Sequence, residues 1–351
     1  MIQKIKSRID FFYRNSVLDR KKETIIKKNI ENSKNKKLII IDIPEHGNIG
    51  DHAIAIAQNH FFKKFFSEYD LIEVPAGVSH RMISYIQNLL TSQDILLFHG
   101  GGNFGTLYKN HDQLRAEAIH NLKHTKFIQL PQTIYFSNDE QGKNKIEDSK
   151  LVYEKQKHKI VFCARETESY ARFKNYFPEN NSILVPDIVF SMDKLEYNFK
   201  RDGIITLLRD DFESAMFEQN NILIECLKKN FKKVNVSDTH LGYGTYIELE
   251  DREEIVYDKL QEVAQHEIVI TDRLHGMIFA YLTKTPCIAI DNNNHKVRDT
   301  YNSWLKDCNY IHFVATITEN ELLHTVAKLV SLKPNEHSLI SEFSPLKNAI
   351  K

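Results

Sequence analysis

A rhythm constrains this chain more than any other feature. Short apolar runs rich in β-branched residues recur along it, and most are followed by a stretch with helical patterning. KKLIIIDIP (36–44) is the first, apolar without alternation, as a strand covered on both faces is. A helical segment (52–66), LIEVPAG (71–77) and a second helical segment (79–90) come next, then DILLFHGGG (94–102) as one strand. A helix over 111–124, KFIQLPQT (126–133), HKIVFCARE (158–166) and SILVPDIVF (182–190) complete the series. The pattern restarts at DGIITLLRD (202–210). A helix around 213–230, KKVNVSD (232–238), a helix over 251–265, EIVITD (267–272) and TPCIAID (285–291) follow. A helical tail begins at about 318 and stops at Pro334. Strands alternating with helices build βαβ units and parallel sheets. The expected fold is therefore α/β, with two wound halves, a seam near 192–202 and a cleft between them.

At 351 residues the chain is long for one core and comfortable for two. The expected divisions are a basic leader (1–37), domains at 38–195 and 202–315, and a tail (316–351). Lys+Arg and Asp+Glu are equal at 47 each, but residues 1–37 hold 12 basic against 4 acidic side chains. That local excess of +8 is balanced by −8 in the rest. Ile2, Ile5, Ile9 and Phe12 share one helical face there. Two readings stay open for residues 1–15: a helix lying on an anionic membrane surface, or one docking its apolar stripe on its own protein. The sequence shows no membrane-span length of apolar residues and no signal-peptide core. Four scattered cysteines without a CxxC suit reduced thiols, hence a cytoplasmic setting.

In open α/β sheets ligands sit beyond the carboxyl ends of the strands, which directs attention to the turns there. One is HGGGNFG (99–105), whose glycines formally contain GxGxxG. It sits late in its half, and no ribose-binding acid follows where one is wanted, so a dinucleotide site is not expected. HGNIGDHAI (46–54) enters a helix, and there Asp51 is either a helix-start carboxylate, worth about 1 kcal/mol, or a base aimed into the cleft. The densest turn is ITDRLHG (270–276). A strand-to-helix turn needs a cap and a glycine, which Thr271 or Asp272 and Gly276 supply, but not Arg273 and His275. Arg209 follows the apolar IITLL at another strand end, and Lys296 lies in DNNNHK (291–296). Guanidinium groups beside a helix N-terminus describe a pocket for a small, multiply charged anion. The dull reading pairs each arginine with its neighbouring acid, Asp210 or Asp272.

His120 and His124 stand four apart on an expected helix, but no third ligand follows, so no metal site is expected. The chain carries no Walker lysine, GxSxG or CGSC element, and its neutral charge does not suit a nucleic-acid partner.

The ordered set GNIGDHAI, LLFHGGGNFG, FIQLPQT, ARETESY, VPDIVF and VITDRLHGMIFAYLTKTPCIAID resembles the polysaccharide pyruvyl transferase family from about residue 38 to about 310. The resemblance implies two Rossmann-like halves in a GT-B-like arrangement. It implies transfer of pyruvate from phosphoenolpyruvate to sugar hydroxyls as a cyclic ketal, in bacterial exopolysaccharide, capsule or cell-wall polymer synthesis. Phosphoenolpyruvate is then a donor substrate, no cofactor is required, and a sugar or lipid-linked oligosaccharide is the acceptor. Arg209 and His275 match the arginine and histidine expected to hold or activate the donor, with Arg273, Gly276 and Lys296 beside them. The acceptor is expected against Asn48, Gly101, Gly102, Asn103 and Arg165, with Asp51 as base. A membrane-borne acceptor would place the protein at the inner membrane face. Two rivals remain: a GT-B-type glycosyltransferase using a nucleotide-activated sugar, and an inactive glycan-binding protein.

Overall fold

The computed structural model describes residues 17–122, 125–209 and 217–351. The proposed membrane-facing residues 1–15, His124 and Asp210 lie outside them. Each apolar run becomes a parallel strand. The first sheet holds β1 (Lys36–Ile43), β2 (Tyr69–Pro75), β3 (Ile95–Phe98), β4 (Gly101–Gly105), β5 (Lys126–Tyr135), β6 (Ile160–Ala164) and β7 (Asn181–Leu184), in the order 2-1-3-5-6-7 with β4 beside β5. The second holds β8 (Ile204–Leu207), β9 (Val234–Ser237), β10 (Ile268–Thr271), β11 (Cys287–Ile290) and β12 (Ile311–Val314), in the order 12-11-10-8-9. Both are wound outward in two directions from a central pair. The order reverses between β1 and β3 in one sheet and between β8 and β10 in the other. Such a switch point leaves a crevice at the strand ends, where ligands of this fold class bind.

The two halves share a core. The helix Ile49–Phe65 of the first half and the helix Arg252–Ala264 of the second pack together. Ile54, Phe61, Val256, Met277 and Phe279 belong to one buried cluster. The helix Leu274–Leu282 (LHGMIFAYL) is buried on every side, as an apolar circumference requires. The chain's last helix, Ser344–Ile350, returns to this core. Phe343, Leu346 and Ile350 are buried in it, and the Phe343 ring lies 5.5 Å from that of Phe61. Each such side chain contributes about 1.5–3 kcal/mol of burial. Among the described residues no helix is long and apolar enough to cross a membrane, and all four cysteines are buried free thiols.

The structure corrects several local expectations. The run 94–102 is not one strand. β3 stops at Phe98, and the chain resumes beside β5 as β4 after His99 and Gly100, with Gly101 at φ +124°. β1 is also irregular: Asp42 takes φ +70° and its register with β2 shifts there. The expected helix at 111–124 spans Lys109–Asn121. Helices Glu140–Tyr153 and Thr167–Tyr176, and strand β12, were not foreseen.

Candidate active site

One cavity of about 340 Å³ opens where the strand ends of both sheets meet. From the first half Asn48, Asp51, Gly102, Asn103 and Arg165 line it; from the second, Arg209, Arg273, His275 and Lys296. Gly101 and Gly276 do not. Gly101 lies beneath, a Cβ there meeting Asp51 Oδ1 at 3.6 Å. Gly276 serves packing: a Cβ at that position would stand 2.3 Å from Thr271 Oγ1, so only glycine lets the helix sit on β10.

His275 lies within the first turn of its helix, which begins at Leu274, rather than ahead of it. Its ring presses on the N-terminus of the helix Ile49–Phe65 across the interface. A Cβ on Gly50 would come within 2.3 Å of His275 Nδ1, so that glycine is the seat of the imidazole. Nε2 is buried, has no hydrogen-bond partner among the described residues, and lies 3.8 Å from Asp187 Oδ2. Burial lowers the His275 pKa, and Arg165 lowers it further, while Asp187 and Asp51 pull it up; the net is a neutral imidazole. A bound dianion would reverse that balance. Beside it, Arg273 Nη2 donates to Asp238 Oδ2 at 2.6 Å. The Arg209 backbone N–H donates to Asp272 Oδ1 at 2.8 Å, which fixes the β8 and β10 turns to each other. Burial raises the Asp272 carboxyl to about 6, against that hydrogen bond and both arginines.

Asn48, not Asp51, caps the helix: its side chain accepts from the Gly50 N–H at 3.0 Å. Asp51 instead accepts from Asn48 Nδ2 at 2.9 Å and has His46 Nε2 at 3.6 Å. Burial raises its pKa, but His46, His275, His99 and His52 together outweigh that and hold it below the ordinary value. As a base it is therefore weak, and it is better suited to steadying positive charge. Arg165 was expected on the acceptor side. It is 2% exposed, donates from Nη1 to Asp187 Oδ2 at 2.7 Å and from Nε to Thr133 Oγ1 at 2.7 Å, and so shares Asp187 with His275. Its neighbour Glu166 is pushed up to about 7 by burial, with Arg165, Ser169 and Thr133 opposing. Asn103 Oδ1 is held by Gln132 Nε2 at 3.1 Å and by Arg115.

Four further histidines line the cavity: His46, His99, His111 and His240, with Asp42, Thr239, Tyr108 and Tyr243. Three of them follow strand ends: His46 and His99 could have been found by the rule that pointed to the glycines beside them, and His240 lies in the turn after β9. His111 could not. Its Nδ1 stands 2.5 Å from Asp42 Oδ2, a pairing 69 residues apart created by the β1 irregularity. His99 donates from Nδ1 to Gln58 Oε1 at 2.9 Å, since an amide oxygen only accepts, and burial drops its pKa to about 4. Among the described residues no group of three or more His, Cys, Asp or Glu side chains is arranged to hold a metal ion.

The chain is similar to known proteins in sequence and in fold. General stress protein 30 of Bacillus subtilis is 33% identical over 314 residues, 89% of this chain and 90% of its own length. Pyruvyl transferase 1 of Schizosaccharomyces pombe is 27% identical over 288 residues, 78% of this chain and 71% of its own. The crystal structure of a functionally uncharacterised protein from Klebsiella pneumoniae superposes with a TM-score of 0.54 at 21% identity, covering 86% of this chain and all of the other. The family model for polysaccharide pyruvyl transferases matches residues 48–294, from the Asn48 cap through both sets of strand-end turns. The protein with this two-sided cationic cavity belongs to the polysaccharide pyruvyl transferase family.

Proposed function

We propose that the cavity transfers pyruvate from phosphoenolpyruvate to two hydroxyls of a sugar, forming a cyclic ketal and releasing phosphate. One observation carries this reading. Arg165, Arg209, Arg273 and Lys296 converge with His275 on one cavity whose lining, among the described residues, includes two carboxylates, Asp42 and Asp51. A three-carbon frame bearing a phosphate and a carboxylate is a matching anion.

The chemistry balances without another reactant. A proton adds to the methylene carbon, and positive charge builds at the central carbon. One sugar hydroxyl attacks there and loses its proton. The C–O bond to phosphate then breaks, phosphate leaves with the electron pair, and a second hydroxyl closes the ring. Of the two hydroxyl protons, one replaces that given to carbon and one leaves with phosphate. His275 Nε2, buried and without a hydrogen-bond partner among the described residues, is the group to which this reading gives the proton transfers once the dianion raises its pKa. The arginines and Lys296 stabilise departing phosphate. The donor belongs on the 202–315 side. The acceptor belongs on the 38–195 side, at Asn48, Gly102 and Asn103. Arg165, through Asp187, links the two. The setting is bacterial exopolysaccharide, capsule or cell-wall polymer synthesis at the cytoplasmic membrane face.

Incubation with phosphoenolpyruvate and a panel of bacterial glycans tests the reading. Phosphate release that requires both a glycan and phosphoenolpyruvate is the expected result. Nucleotide release from a sugar nucleotide would support a glycosyltransferase instead, and no turnover with either donor would support a glycan-binding protein.

A further inference from the structure

The segment after β9 crosses to the other half and is tied there as a strap. Thr239 O accepts from the Ile49 N–H at 2.9 Å, the Leu241 N–H donates to Gly47 O at 2.8 Å, and the Ile247 N–H donates to Glu45 O at 2.9 Å. Isolated antiparallel bridges join His46 to Tyr246 and Asn48 to His240. Gly47 has no room for a side chain, because a Cβ there would stand 2.9 Å from Thr245 Cβ. The strap is thus held to the same loop that carries Asn48 and Asp51.

At its tip stands Tyr243, 83% exposed, between Gly242 at φ +96° and Gly244 at φ +83°. Two departures into the left-handed region, one on each side of Tyr243 and both at the residue type that adopts it without strain, present a single aromatic ring. That ring lines the cavity, and it lies 5.3 Å from the His240 ring, which lines it too. His240 is itself fixed, since its Nδ1 accepts from the Gly242 N–H at 2.9 Å. Tyr108, 39% exposed, lines the same cavity from the first half, edge-on to His111. An aromatic ring left in water contributes nothing to the core, yet both tyrosines line this cavity.

We propose that Tyr243 is the platform on which the acceptor sugar stacks, the apolar C–H face of a pyranose ring resting on the phenol. Its hydroxyl edge then points toward the Asn48–Asp51 turn. This rests on the reading of the cavity as a pyruvyl-transfer site and adds to it a contribution from the second half to acceptor recognition. A pyranose presents an apolar face and a rim of hydroxyls. It therefore suits an aromatic ring beside short polar side chains, whereas the arginines suit the donor. The strap's anchorage to residues 45–49 keeps platform and polar turn in register.

The test measures binding of methyl β-glucopyranoside, methyl β-galactopyranoside and methyl α-mannopyranoside to the full chain by saturation-transfer NMR, with phosphoenolpyruvate titrated separately by calorimetry. Tyr243→Ala is expected to weaken the best glycoside about tenfold, the size of one aromatic contact. Tyr243→Phe should retain it, and phosphoenolpyruvate affinity and thermal midpoint should not move. Unchanged glycoside affinity in Tyr243→Ala, or no binding of any of the three by the wild type, overturns the platform. So does uridine diphosphate binding that Tyr243→Ala weakens while glycosides are unaffected, since a base would then be the occupant. If phosphoenolpyruvate fails to bind the wild type while a glycoside still needs Tyr243, the donor reading falls and the platform stands.

Discussion

At the residue scale the proposed reaction asks most of His275, and its surroundings suit it to that part: burial keeps it neutral, Gly50 seats it, and Asp187 faces Nε2. His275→Ala and Arg209→Ala are each expected to lower phosphate release about a hundredfold, roughly 3 kcal/mol of transition-state stabilisation, with the fold intact by circular dichroism. Wild-type turnover in either variant removes that residue from the mechanism. Asp187, buried and not among the lining residues, is expected to act through His275 rather than on substrate. Asp187→Asn keeps the acceptor for the Val189 N–H but loses the charge that raises His275. The limb of the pH–rate profile that reports His275 should then move to lower pH, with the Michaelis constant for phosphoenolpyruvate little changed. An unshifted profile would leave Asp187 a purely structural partner of Arg165. That Arg273, His275, Arg209 and Lys296 meet in one cavity was legible, because each stands at a strand-end turn of the same half with no structural need for a cation. Asp187 was not, because its meaning lies in a 3.8 Å approach between two halves that no local pattern encodes.

At the scale of elements, strands were legible wherever an apolar run exceeded what a helix face needs, and their ends were not. Asp42 looks like part of the run LIIIDI, yet it adopts φ +70° and turns to pair with His111. The break after Phe98 hides inside FHGGGNFG for the same reason: glycines permit either continuation. At the start of the helix Ile49–Phe65 the sequence leaves Asp51 open between a helix-start carboxylate and a base, because Asn48 and Asp51 are both good cap formers and only geometry chooses Asn48. That helix start is a sensitive joint. Gly50→Ala would push a methyl group into His275, whose Nδ1, Cγ and Cβ all lie under 3.0 Å from the built Cβ. The variant should lose turnover through a displaced imidazole and about 1–3 kcal/mol of stability by urea denaturation. Gly50→Ala with full activity would show that the seat is not needed.

For the whole molecule, sharing one core between two sheets makes the cleft a property of the assembled chain, with the last helix, ending at Ile350, packed into that core. Burial also sets its response to acid. His99 is held at about 4, whereas unfolded it titrates near 6.5, so the folded state binds fewer protons between those values. Its contribution is full above pH 6.5 and is lost as pH falls toward 4, about 3 kcal/mol in all. Glu166, raised to about 7, works oppositely and gains stability as pH falls below that value. Comparison with a variant isolates the first effect. Between pH 7 and 5 wild type should lose about 2 kcal/mol more than His99→Gln in urea denaturation, and equal losses would place the proton elsewhere. The central claim is that both halves act on one donor and one acceptor. Phosphoenolpyruvate labelled with carbon-13 at its central carbon, incubated with the protein and a glycan acceptor, tests that claim most directly. A ketal carbon resonance is expected on the glycan, growing in step with free phosphate and absent with Arg209→Ala. Free phosphate with the label remaining in pyruvate, or label untouched while a sugar nucleotide is consumed, would contradict it.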